Sequence, residues 1–251
     1  MSDKATVLEF NAPPSFWSNY KKAIFGSRPG PKPGMKLPEI KGVWKGVRTN
    51  QAQLEGYRKV CGIEDNGVLP ILYPNVLTLG VQLSMLVHPA FPLKMLGTVH
   101  NRNHVFQKRA IRPDEVMDVT CTLEDSRILK QGIEFDVVTR VEIGGERVWE
   151  SISGYLSRAK FSEFGEPSPL AQLPDLAEPV SESAYRLPKD LGRSYAKVTG
   201  DYNPIHISNI LAKVFGFPRA IIHGMWSAAN GAARVQTPPT DAPSRYDVIF
   251  K

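Results

Sequence analysis

The stretch YPNVLTLGVQLSMLV, residues 73–87, decides how the rest of the chain folds. Its apolar residues alternate from position 77 to position 87, a period that is typical of a strand. We predict a helix instead, because Pro74 suits the first turn of a helix and the run is longer than most strands. A helix wrapped by a sheet can also be apolar nearly all round. The sequence therefore predicts a buried central helix.

Four extended stretches follow that helix, at residues 98–108, 115–125, 132–143 and 147–157. In the third stretch Ile133, Phe135 and Val137 alternate with polar residues, as in a strand with one buried face. The pair Gly144-Gly145 then indicates a two-residue hairpin turn before the last stretch. The four stretches are predicted to form an antiparallel meander.

Composition excludes several classes of protein. The chain has 251 residues, of which 42% are hydrophobic and 22% charged, enough for one large domain or two modest ones. Cys61 and Cys121 form no disulfide framework or zinc-ligand pattern. We find neither a signal peptide nor an apolar run of about 18 residues, the length that a membrane helix needs. We therefore expect a soluble, cytoplasmic protein with no membrane span.

Positive charge is concentrated in residues 1–60, which hold 11 Lys and Arg against 4 Asp and Glu, although the whole chain carries +6. The segment includes a Pro- and Gly-rich loop at residues 27–34. It is either a solvated basic arm or a positive rim for a phosphorylated ligand or an acidic carrier protein. No pattern of basic and aromatic residues points to nucleic acid.

The second half of the chain contains the string Gly200-Asp-Tyr-Asn-Pro-Ile-His206. An Asn-Pro pair initiates a turn, so Asp201 and His206 should flank a sharp bend and face one small molecule. A carboxylate and an imidazole that share one water form an acid and base pair. Each residue alone has a simpler interpretation as a cap, an Asx turn or a packed histidine. The complete string favours catalysis.

Three motifs in order resemble the MaoC-like, (R)-specific enoyl-CoA hydratases, also called hydratase 2. They are residues 195–206 (YAKVTGDYNPIH), 215–219 (FGFPR) and 222–225 (IHGM). The resemblance implies an α+β double hot-dog fold, in which a curved antiparallel sheet wraps a long helix and the unit is repeated. It also implies no metal and no cofactor.

The resemblance assigns the candidate site residues. Asp201 and His206 would hold the catalytic water, with Asn203 fixing their arrangement, and the N–H of Gly224 would polarise the thioester oxygen at a helix N-terminus. The expected neighbours of the substrate are Tyr202, Pro204, His223 and Met225, although a capping or packing role is favoured for His223. His100 and His104 would suit a metal only on a helix, and their stretch is predicted as a strand.

The resemblance further divides the chain into a basic segment (1–60), a non-catalytic first unit (61–158), a linker (159–182) and a catalytic second unit (183–251). The second unit is expected to lack strands after residues 246–251 and so to be C-terminally truncated. The expected reaction is reversible hydration of a trans-2-enoyl thioester, on CoA or acyl carrier protein, to the (3R)-3-hydroxyacyl thioester. A homodimer is compatible with this assignment. The alternative is a non-catalytic protein that binds or scaffolds acyl thioesters.

Overall fold

The computed structural model describes residues 5–172, 184, 186–235 and 242–250. The helices are α1 (Phe16–Phe25), α2 (Gln51–Cys61), α3 (Tyr73–Leu86), α4 (Leu191–Thr199), α5 (Pro204–Ile207), α6 (Asn209–Val214) and α7 (Gly224–Arg234), with a 3₁₀ turn at Pro169–Gln172. The strands are β1 (Thr6–Phe10), β2 (Ile40–Val47), β3 (Thr98–Gln107), β4 (Met117–Leu129), β5 (Gly132–Ile143), β6 (Glu146–Arg158) and β7 (Ser244–Ile249). Helices and a largely antiparallel sheet make the fold α+β.

Helix α3 is the central helix that the sequence predicts. Eleven of its 14 residues are buried, and it packs against β2, β4 and β5. Pro74 lies in its first turn. The buried side chain of Gln82 ties the helix to the sheet, since its Nε2 donates to Thr139 Oγ1 at 3.1 Å. Burial on every side explains why the two-residue alternation does not mark a strand here.

The seven strands form one sheet in the order β1-β2-β4-β5-β6-β3-β7. Every neighbouring pair is antiparallel except β1 and β2, which are parallel. The four predicted strands are confirmed, but a simple meander is wrong, because β3 pairs with β6 and not with β4. Local periodicity predicts strands but carries no information on their order in the sheet.

The predicted hairpin between β5 and β6 is confirmed. Gly144 and Gly145 have φ angles of 60° and 81°, so both central residues of the turn adopt the left-handed region. Two consecutive positive φ angles define the tight turn that matches the twist of the flanking strands. Glycine is the residue that adopts them without steric cost.

The outer face of the sheet carries a buried charge cluster. Arg102 on β3 reaches across β6, and its Nε lies 3.2 Å from Glu134 Oε1 on β5. It also donates to Asp136, which Arg127 contacts from the other side. A Cβ at Gly154 would lie 2.6 Å from Arg102 Cγ, so the glycine makes the crossing possible.

The C-terminal elements pack against the first half of the chain. Strand β7 pairs with β3, with Arg102 opposite Ile249. Helix α7 is tied to the end of α2, where Trp226 Nε1 donates to Val60 O and Asn230 Nδ2 donates to Cys61 O, both at 2.9 Å. The division at residues 159–182 stays a prediction, and part of that linker lies outside the described residues.

Among the residues that the structure describes, no helix has the length and hydropathy needed to cross a membrane.

Candidate active site

The candidate catalytic loop, called the catalytic loop below and defined as residues 200–203, begins where α4 ends. Gly200 closes that helix with a φ of 80°, and its N–H donates to Ala196 O. A Cβ at Gly200 would also lie 2.3 Å from the ring of Phe16 on α1. Both the backbone conformation and the close aromatic contact therefore require glycine at this position.

Two side-chain turns shape the loop. Asp201 Oδ1 accepts from the Asn203 N–H at 3.2 Å, and Asn203 Oδ1 accepts from the Ile205 N–H at 3.4 Å. Asn203 thereby caps α5, which has Pro204 in its first turn. These bonds are local, so residues 201–205 set the turn that presents Asp201 and His206 to the same space.

His206 lies in α5 with one ring nitrogen engaged. Its Nδ1 is 2.9 Å from the carbonyl oxygen of Ile221, so Nδ1 must carry the proton that is donated. In the neutral ring, Nε2 then carries a lone pair. Nε2 is therefore the ring nitrogen of His206 that can accept a hydrogen bond or a proton.

His223 lies just before α7 and is 1% exposed. Its Nε2 donates to the backbone oxygen of Asp201 at 3.0 Å and lies 3.8 Å from Asp201 Oδ2. Burial lowers the pKa of His223 to about 4, against the opposing effect of the Asp201 carboxylate. The ring is thus neutral near pH 7 and is packed beneath the loop.

Asp201, His206 and His223 each contribute a side-chain oxygen or nitrogen, and these atoms lie within 4.8 Å of one another. One water that bonds to two such atoms spans about 4.5 Å. The same three residues are the candidate ligands for a metal ion. However, His206 Nδ1 and His223 Nε2 already donate to carbonyl oxygens, so each ring has only its other nitrogen left for a ligand.

Gly224 is the first residue of α7, where backbone N–H groups have no acceptor within the helix. A Cβ on Gly224 would lie 2.7 Å from the ring of Phe250, which itself lies 5.0 Å from the ring of His100. The absence of a side chain at Gly224 thus makes room for the ring of Phe250 beside the helix N-terminus. Such a site favours a developing negative charge.

The four residues predicted to lie next to the substrate differ in their contacts with Asp201 and His206. Tyr202 is half-buried, and its ring stacks on that of Trp17 with centroids 5.3 Å apart. Pro204 starts α5, and Met225 packs partly buried against the core. Of the four, His223 has direct contacts with Asp201 and His206.

Sequence reasoning missed Tyr20. This residue of α1 is 6% exposed, and its hydroxyl donates to Asp201 Oδ1 at 3.1 Å. Burial and the nearby carboxylate raise the pKa of the Tyr20 phenol far above its usual range, so the hydroxyl keeps its proton. The signal was available, since Phe16, Trp17 and Tyr20 share one face at helical spacing.

The fold and the site together define a class of enzyme. An acid and base pair spaced for one water, beside a helix N-terminus, is suited to adding water to a polarised double bond or removing it. Residues 174–249 match the family model described as MaoC like domain. Along 94% of its length the chain is 33% identical to 3-hydroxyacyl-thioester dehydratase X of Mycobacterium tuberculosis, covering 84% of that protein. The chain belongs to the MaoC-like dehydratase family and is a hydro-lyase.

Solved structures agree with that assignment. A crystal structure of HtdX from M. tuberculosis aligns with a TM-score of 0.71 and 29% identity, covering 84% of this chain and 82% of HtdX. A MaoC-like dehydratase from Phytophthora capsici aligns with a TM-score of 0.58 and 21% identity, covering 78% of this chain and 73% of that one. The predicted α+β hot-dog architecture and the family resemblance are both confirmed.

Proposed function

We propose that the chain catalyses the reversible hydration of a trans-2-enoyl thioester to the (3R)-3-hydroxyacyl thioester. The observation that carries this proposal is the spacing of Asp201 and His206, whose side chains can share one water. The relative that resembles the chain over most of its length is named as a 3-hydroxyacyl-thioester dehydratase. The thioester is carried by CoA or by an acyl carrier protein.

In the hydration direction, the water between Asp201 and His206 loses a proton to one of the two groups as its oxygen bonds to C3. The electrons of the double bond move toward the thioester oxygen and form an enolate. The proton taken from the water passes to the other group and from it to C2, which restores the thioester carbonyl and returns both groups to their starting states. Dehydration runs through the same steps in reverse.

Gly224 stabilises the enolate in this scheme. Its N–H has no acceptor within α7, and the dipole of that helix adds to the attraction for negative charge. A donor aimed at a developing oxyanion is worth about 10² to 10³ in rate.

The test is an assay with crotonyl-CoA and longer trans-2-enoyl-CoAs, following loss of the absorbance of the conjugated thioester. Product chirality is determined with dehydrogenases specific for the (3R) or (3S) alcohol. We expect turnover and a (3R) product. A (3S) product would contradict the proposed stereochemistry, and binding of every thioester without turnover would favour the non-catalytic alternative.

A further inference from the structure

Helix α1 is held in place by the central helix and not by the active site. Asn19 Nδ2 on α1 donates to Gly80 O at 3.2 Å and to Ser84 Oγ at 2.9 Å, both on α3. Gly80 also allows a close approach, since a Cβ there would lie 3.2 Å from Pro14 O. Asn19 is 4% exposed, so these bonds are shielded from water. The core of the protein therefore determines where α1 lies.

From that position, α1 presents aromatic side chains to the catalytic loop. Phe16 covers Gly200, the ring of Trp17 stacks on Tyr202, and the Tyr20 hydroxyl reaches Asp201. Helix α1 thus contacts three successive residues, 200–202, that carry the catalytic carboxylate.

The hydrogen bond from Tyr20 gives the two carboxylate oxygens of Asp201 different environments. Oδ1 accepts from the Tyr20 hydroxyl at 3.1 Å and from the Asn203 N–H at 3.2 Å. Oδ2 lies 3.8 Å from His223 Nε2, beyond hydrogen-bond distance, and has no donor among the described residues. Two donors on Oδ1 fix the carboxylate plane and leave Oδ2 for a water.

We propose that Tyr20 is a positioning residue, whose hydroxyl fixes Asp201 Oδ1 so that Oδ2 faces the reacting water. This inference rests on the proposed hydration reaction. The hydroxyl acts through the carboxylate and does not touch the substrate. Its loss should therefore affect turnover far more than substrate affinity.

The test compares Tyr20→Phe with a matched control, Tyr246→Phe. Both changes remove one phenolic hydroxyl, but the Tyr246 hydroxyl donates to the Ala228 carbonyl at 2.9 Å and not to Asp201. With crotonyl-CoA, we expect Tyr20→Phe to lower kcat about tenfold and to change KM less than about twofold, since a hydrogen bond to a charged group is stronger than one between neutral groups. The control should stay within about twofold of wild type in both constants.

A second measurement detects the bond without any assay of activity. Denaturant unfolding of wild type, Tyr20→Phe, Asp201→Ala and the double variant forms a double-mutant cycle. We expect the two changes to be coupled by about a factor of ten in the unfolding constant. Additive changes would show that the bond is absent and would overturn the inference.

Coupling together with a wild-type kcat in Tyr20→Phe would also overturn it, because the bond would then be purely structural. A wild-type chain that turns over none of the thioesters would contradict the proposed function and, with it, a positioning role. The unfolding cycle would still decide whether the bond exists, so the two failures are distinguishable.

Discussion

The rings of His206 and His223 lie in contact, with centroids 3.9 Å apart and planes inclined by 30°. Two positive charges at this distance would repel each other strongly in a buried site. The neighbouring carbonyl oxygens fix one proton on each ring, so two neutral imidazoles are compatible. Burial lowers the pKa of His223 to about 4, so the ring packed against His206 is neutral near pH 7.

Asp201→Asn and His206→Gln should each lower kcat by about 10² to 10⁴, the usual contribution of a group that transfers a proton. Since the two residues act on one water, the double variant should lose far less than the product of the single losses. Steady-state kinetics and thermal melts measure both effects. His104→Gln is the control, because His104 pairs with Asp247 at 2.8 Å and has no hydrogen bond to Asp201 or His206 among the described residues. Near wild-type turnover in a folded Asp201→Asn or His206→Gln variant would refute the assignment.

Gly224→Ala should lower kcat at least tenfold, because the added methyl would lie beside the N–H that is proposed to bind the thioester oxygen. It should also destabilise the protein by about 1 to 3 kcal/mol, the usual cost of overpacking, since the Cβ would lie 2.7 Å from the ring of Phe250. Combining it with Phe250→Leu should restore the melting temperature but not kcat. Phe250→Leu alone is the control. If the double variant regains full turnover, contact with Phe250 and not access of the thioester explains the loss.

Stability should decrease as the pH falls from about 6.5 toward about 4. Burial lowers the pKa of His223 and that of His100 to about 4 in the folded protein, below the ordinary value of 6.5. The unfolded chain therefore binds more protons in this window, so stability is fully present above pH 6.5 and is lost as the pH decreases. The full shift of His223 corresponds to about 3 kcal/mol. Denaturant melts of His223→Gln and His100→Gln should each show a shallower dependence on pH. Slopes equal to that of wild type would show that these rings are not protonated on unfolding.

Arg102→Leu should destabilise the protein by about 3 to 5 kcal/mol, because Glu134 and Asp136 would keep their buried charges and lose the cation between them. Denaturant unfolding measures the change. Lys108→Ala serves as the control, since Lys108 pairs with Glu146 on the surface, where such a pair contributes little. Equal stability of the two variants would mean that the buried cluster is not coupled to folding.

The parts of the fold and of the site that could be predicted are those that depend only on residues adjacent in the sequence. The Asx turns of the catalytic loop and the Gly144-Gly145 hairpin each depend on two to five neighbouring positions. The place of β3 beside β6 depends on how the chain crosses the sheet, which periodicity does not describe.

Tyr20 escaped prediction for a related reason. Its partner, Asp201, lies 181 residues further along the chain. The sequence around Tyr20 is marked by a surplus of basic residues, which does not indicate a contact of the aromatic face of α1. Pattern analysis detects that such a face exists. It does not show which distant loop the face will cover.

The anchoring of α1 also sets an order of assembly during synthesis. Asn19 and its partner Ser84 are 65 residues apart in the sequence. Helix α1 can therefore pack against the central helix as soon as that helix has left the ribosome. The catalytic carboxylate emerges more than a hundred residues later and meets a surface that is already built. The aromatic residues of α1 thus form a surface on which a later-made part of the chain, the loop that carries Asp201, takes its shape.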